Sequence, residues 1–309
     1  MATATKVERP ATGRSTIQRR ETLAALGFIS PWIIGFLIFT AGPMVISLAL
    51  SFTDYNIISS PRFIGVSNYQ EMLADPRLGL SLGNSFYYAL LHVPLTIIFA
   101  LFLAMILNRV GKAAGFFRTA FYLPSITPAV AVGTLFLWLL NPRVGLVNQG
   151  LALIGIEGPG WTTDPNWIKP GIVIMSLWSL GSTVIILLAA LRGVPNELYE
   201  AANIDGASGW QQFIKITVPL ISGSLFFVLI VNTIASLQIF TEVYTMYFGK
   251  QQSGPASSAG LFYNIYLFRQ AFEFLRMGYA SAMAWLLFVI ILILTAIQLR
   301  VSRRWVYYE

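Results

Sequence analysis

Six long apolar stretches, separated by polar segments of unequal length, set the plan of this chain. Thr22–Thr53, Leu78–Asn108, Thr119–Pro142, Pro170–Leu191, Ile216–Thr241 and Met277–Leu299 each reach the roughly 20 residues that cross a hydrocarbon core. The first exceeds the apolar core of a signal peptide, roughly 7–15 residues, so it reads as a retained span. Pro124 and Pro128 lie in the first half of the third stretch and remove backbone donors there, which predicts a kink, with a hinge as the alternative.

The polar segments carry weaker signals. Asp54–Arg77 has turn residues at Pro61, Gly65 and Asp75-Pro76, and Ser67-Asn68-Tyr69-Gln70 has capping-box spacing for a short interfacial helix. Arg143–Lys169 is rich in Gly and Pro, with Trp161 and Trp167 as candidates for the membrane–water boundary. Gly249–Gly260 reads as flexible. The aromatic run Leu261–Phe274 is broken by Arg269 and Glu273 and reads as interfacial or re-entrant. The expected organisation is a tail over 1–22, a six-span domain over 23–299 and a second tail over 300–309.

Composition agrees with a membrane protein: 56% of residues are hydrophobic, 11% are charged and the mean hydropathy is +0.69. A soluble chain carries about 25% charged residues. The net charge of +7 matters through its placement, and no nucleic acid is expected as a partner. Segments 1–22, 108–118, 192–215 and 300–309 hold thirteen Lys and Arg in 67 positions. Segments 51–83, 141–170 and 242–276 hold seven in 98. The positive-inside rule then puts both termini and Pro195–Lys215 in the cytoplasm.

Several chemistries are excluded. With no cysteine there is no disulfide or thiolate chemistry, and one histidine, His92, does not make a metal site. Gly111-Lys112 and Gly249-Lys250 lack the glycine and hydroxyl of a phosphate-binding loop, so no ATP site of that type is present. No catalytic triad, metal cluster or cofactor is expected. An ion-gradient-driven transporter or channel is the competing class, but such proteins carry ionisable groups within their spans. Here only His92, read as a packing residue beside Pro94, and Glu242 at the edge of the fifth stretch qualify.

The segment Pro195–Leu220 is the one polar–apolar mixture between two spans that looks built to dock on something. Glu197, Glu200 and Asp205 concentrate acid in a basic protein, and Glu200-Ala201-Ala202 favours helix. Gly206 can supply a left-handed turn, and a second helical run, Ser208–Ile216, is expected to stop before Pro219. Further along, Asn232, Ser236 and Phe240 share one face if Ile216–Thr241 is a continuous helix, and Gln238, Glu242 and Tyr244 add polar and aromatic groups. That strip suits either a solute path or helix–helix contact.

The order Glu200-Ala201-Ala202, Gly206, Ile216, Val218-Pro219 resembles the EAA loop of bacterial ABC-importer permeases. Asp205-Gly206-Ala207, Trp210, Phe213 and Ile216-Thr217 look like the carbohydrate-uptake branch, with Val218 where Leu is usual. Phe63–Tyr69, Phe116–Pro124 and Arg276–Ala282 are similar to the same family. Met246–Lys250, with Gly254-Pro255 later, departs from its Thr-Gly-Gly-Gly-Pro pattern. The resemblance implies an all-α type I importer permease with six transmembrane helices and a cytoplasmic coupling loop. It also implies pairing with a second permease, two ATPase subunits and an external solute-binding protein, to import a sugar or related polar solute.

Overall fold

The computed structural model describes residues 16–110, 114–248 and 258–307. Most of the flexible stretch read over Gly249–Gly260, and most of the N-terminal tail, fall outside them. Four helices are long and apolar enough to cross a membrane: Gln18–Leu50, Pro76–Arg109, Ser222–Tyr247 and Met277–Ser302. Two bent pairs complete the set of six. Gly115–Ile126 and Ala129–Leu139 meet at 96°, and Pro165–Leu177 and Gly181–Arg192 at 51°. Among the described residues the only strands form a two-residue antiparallel ribbon, Thr53–Asp54 with Arg62–Phe63.

Four expectations are corrected. The fourth span starts at Pro165 and breaks over Trp178–Leu180, where no sequence signal marked an interruption. The fifth runs from Ser222 to Tyr247, and its helix lapses over Gln238–Phe240; Phe240 has φ −146° and ψ −67°. The helix Ser67–Ala74 forms, but Val66 is its N-cap, and Ser67 instead donates to the Ile64 carbonyl at 2.9 Å. Trp161 is buried rather than interfacial. Its indole N–H donates to Asn148 at 2.7 Å, and its ring meets the half-exposed Trp167 edge-on.

The aromatic run folds back in among the spans, and we term it the re-entrant helix for that course through the bundle. Tyr263–Phe268 and the π-helical turn Arg269–Glu273 bury Phe262, Tyr263, Ile265 and Tyr266 among the spans. Asp75 anchors this piece. It caps the second span through the Arg77 N–H, and its carboxylate accepts from Tyr266 at 2.6 Å and Tyr279 at 2.7 Å. Burial raises the pKa of Asp75, but these hydrogen bonds outweigh it and hold the carboxyl below its ordinary value. Nearby, Gly278 lets the sixth span press against the ribbon: a Cβ there would collide with the Thr53 carbonyl, and the Gly278 N–H donates to Tyr55 at 3.1 Å.

Two apolar cores hold the bundle together. One gathers Tyr88, Phe136, Ile172, Val243, Phe262 and Met283 from five spans and the re-entrant helix. The other packs Ala100 and Ala104 of the second span, both fully buried, against Val184, Leu187 and Leu188 of the fourth, Val228 of the fifth and Ile221 at its entry. Small residues one turn apart allow that close approach, as in other membrane helix pairs. Between the two cores lies a polar layer.

Candidate functional site

Two features stand out, a projecting helical hairpin and the cavity in the polar layer. The hairpin begins with the helix Asn196–Ile204. It ends in a Schellman turn: the Gly206 N–H donates to Asn203 and the Ala207 N–H to Ala202, with Gly206 at φ +73°. The second arm starts at Ser208, whose side chain and Gln211 form a reciprocal capping box.

That second arm does not stop at Pro219. A π-helical turn, Phe213–Thr217, leads directly into Val218–Leu220. The wider turn places Pro219 in the first turn of the next segment, where its missing N–H costs little. The chain then turns at Ile221 into the fifth span, with the Ile221 N–H bonded to Thr217 and the Leu225 N–H to Ile221. The arms are pinned to each other by Tyr199 to Thr217 at 2.8 Å and Gln212 to Asn203 at 2.7 Å. Tyr199, Ile216 and Leu220 also pack on the core around Ile221.

The hairpin surface is acidic and apolar together. Glu197, Glu200, Ala201, Asp205 and Gly206 are exposed, and Ala202, Ala207, Phe213, Ile216 and Pro219 are half-buried. Ile204 is 88% exposed and Trp210 69%, the latter stacked on Phe213. Apolar groups this exposed on a polar hairpin suit a partner surface.

The cavity, about 390 Å³, lies where the fourth and fifth spans are interrupted. Asn232, Ser236, Gln238, Phe240 and Glu242 all line it, although Phe240 arrives through the break and not by helical periodicity. Tyr244 does not line it; this ring stacks on Phe240 and meets Phe268 edge-on in an aromatic cluster. The opposite walls bring His92, read from the sequence as a packing residue, and groups that reading by residue had passed over: Tyr88 and Thr96 of the second span, and Ser176, Ser179 and Thr183 of the fourth. Both sets recur at helical spacing, so the periodicity that singled out Asn232 and Ser236 could have found them.

The lining is hydrogen-bonded yet offers unspent polar capacity. Ser236 donates to the Asn232 carbonyl, and Asn232 to the Val228 carbonyl at 2.8 Å. The Gln238 carbonyl, freed by the break, accepts from Asn264 of the re-entrant helix at 2.9 Å. The Glu242 carboxylate has no hydrogen-bond or ion-pair partner among the described residues. No group of His, Asp and Glu among those residues is arranged to hold a metal.

Residues 96–307 match the family described as the binding-protein-dependent transport system inner membrane component. The chain belongs to that family. It is a multi-pass permease subunit of an ABC importer. The chain is 41% identical over 294 residues to the probable ABC transporter permease protein YesP of Bacillus subtilis, covering 94% of both. It is 33% identical to the lactose transport system permease protein LacF of Rhizobium radiobacter, over 94% of this chain and 98% of that one. A bacterial ABC transporter that imports the acidic polysaccharide alginate contains a chain with the same fold, at a TM-score of 0.80 and 26% identity, covering 93% of this permease and 97% of that chain.

Within this permease the hairpin depends on its glycine turn. No atom crowds the position a Gly206 Cβ would occupy, so a side chain there costs backbone strain alone. At about 1–2 kcal/mol, Gly206→Val should speed hydrogen exchange at the Ala207 amide about tenfold while membrane insertion is unchanged. Gly206→Asn, which tolerates the left-handed region, should fall between. Equal exchange in all three proteins would refute the turn's role.

Proposed function

We propose that this permease imports a sugar or oligosaccharide, drawing on ATP hydrolysis by separate subunits. The observation that carries the reading is the cavity at the broken spans. It combines hydroxyls, amides, a carboxylate and an aromatic face, which suit the hydroxyls and C–H faces of a sugar. Relatives add support: one is named for lactose transport, and another, 29% identical, for arabinooligosaccharides.

In this reading the assembly comprises a second permease, two ATPase subunits and an external solute-binding protein. An alginate transporter of the same fold has been seen in complex with its periplasmic protein. The Lys and Arg distribution supports a cytoplasmic-membrane orientation with both tails, 1–22 and 300–309, and the hairpin on the cytoplasmic side of a 23–299 permease domain. Ile204 and Trp210, rimmed by Glu197, Glu200 and Asp205, would seat in the ATPase. Closure of the ATPases on ATP would then push the hairpin and turn the cavity from outward- to inward-facing.

Co-purification in mild detergent tests the assembly. An ATPase and a second six-span subunit should accompany this chain, and Glu200→Lys should reduce the ATPase yield severalfold by reversing charge at the contact. Recovery of a lone homo-oligomer would refute the proposed assembly. The solute path has its own test. Asn232→Ala and Gln238→Ala should alter solute affinity or preference while the complex still assembles. Reduced complex yield with unaltered preference would assign these residues to helix packing instead.

A further inference from the structure

Tyr88, His92 and Thr96 sit one turn apart on the face of the second span that looks into the cavity. The His92 ring stacks on Tyr88, with centroids 4.9 Å apart and planes within 9°. Tyr88 in turn donates to Ser176 at 2.7 Å, just before the break in the fourth span. Both imidazole nitrogens are engaged: Nδ1 lies 2.9 Å from Ser236 Oγ, and Nε2 lies 3.0 Å from Thr96 Oγ1. Among the described residues, His92 to Ser236 is the side-chain hydrogen bond that joins the second span to the fifth.

The polarity of this chain follows from Ser236. Its hydroxyl hydrogen is already given to the Asn232 carbonyl at 2.7 Å, so toward His92 its oxygen can only accept. Nδ1 therefore carries the proton, and Nε2 accepts from the Thr96 hydroxyl. The result is a directed relay, Thr96 to His92 to Ser236 to the Asn232 backbone. With the Tyr88–Ser176 bond, and Asn232 donating to Thr183 at 3.4 Å, it closes a belt around the cavity that includes spans two, four and five.

We propose that His92 is a positioning residue of the solute site. It fixes the Ser236 hydroxyl in one rotamer and holds the fifth span at the depth of Asn232, so a hydroxyl-bearing solute meets a preset pattern of donors and acceptors. This rests on reading the cavity as the solute path. A packing histidine would need only its ring, whereas a positioning one needs both nitrogens, and that difference is measurable.

The test uses the complete transporter in proteoliposomes, with radiolabelled lactose, maltotriose and arabinotriose as probes. His92→Phe keeps a ring for Tyr88 and removes both hydrogen bonds; His92→Gln keeps a donor and an acceptor. For the best-carried probe, His92→Phe should raise KM about tenfold, the worth of one buried hydrogen bond, against a smaller change in Vmax. The ranking of the probes should change, complex yield should hold, and His92→Gln should recover most of the loss. Wild-type KM and ranking in His92→Phe, or a phenotype confined to complex yield, would overturn the proposal. Asn232→Ala in the same assay separates the two levels. If it shifts KM and His92→Phe does not, only the His92 role falls; if neither does, or if the wild type carries none of the probes, the sugar-path reading falls with it.

Discussion

Inside a bilayer a backbone amide has no water to turn to, and in this permease that constraint bears hardest where a span is interrupted. The chain meets it locally at each break. Near the third-span bend, Ser125 donates to the Tyr122 carbonyl at 2.7 Å, and Thr127 N–H to Pro124 at 3.2 Å. In the fourth span short turns carry the chain through Trp178 and Ser179. In the fifth the Gln238 carbonyl borrows a donor from the re-entrant helix, which Asp75 and Tyr263 fix in turn. Local turns take up the freed groups at each break, and the breaks of the fourth and fifth spans border a polar cavity between two apolar cores.

The same arrangement makes a mechanical unit. Only a single turn residue, Ile221, separates the hairpin from the fifth span: a π-helical turn and a three-residue helix lead up to it, and Ile221 bonds to both Thr217 and Leu225. The core around Ile221 ties that junction to the second and fourth spans. In the proposed cycle, a push on the hairpin therefore moves three cavity walls together rather than bending one.

Much of this was legible in the sequence. Six apolar stretches, the helix–glycine–helix reading of Pro195–Leu220 and the polarity of the fifth span follow from periodicity and composition. The breaks at Trp178–Leu180 and Gln238–Phe240 did not, because neither triplet contains Gly or Pro; tertiary packing, which no local propensity records, interrupts those helices. Pro219 misled in the opposite direction, since a π-helical turn lets the helix absorb it. The second-span wall was overlooked because His92 was weighed alone, although Tyr88, His92 and Thr96 carry a four-residue spacing.

The central claim is that the hairpin and the second, fourth and fifth spans move as one rigid body. The chain has no cysteine, so paired cysteine substitutions can be spin-labelled without background. Ser208 lies on the hairpin, while Val231 and Leu90 are exposed on the outer faces of the fifth and second spans. Pulsed EPR distances for Ser208–Val231 and Ser208–Leu90 should be the same in nucleotide-free and ATP-bound transporter, while a label pair across the ATPases reports closure in the same samples. A shift or broadening of either intrachain distance on closure would show that the hairpin flexes against the spans, and would contradict the account.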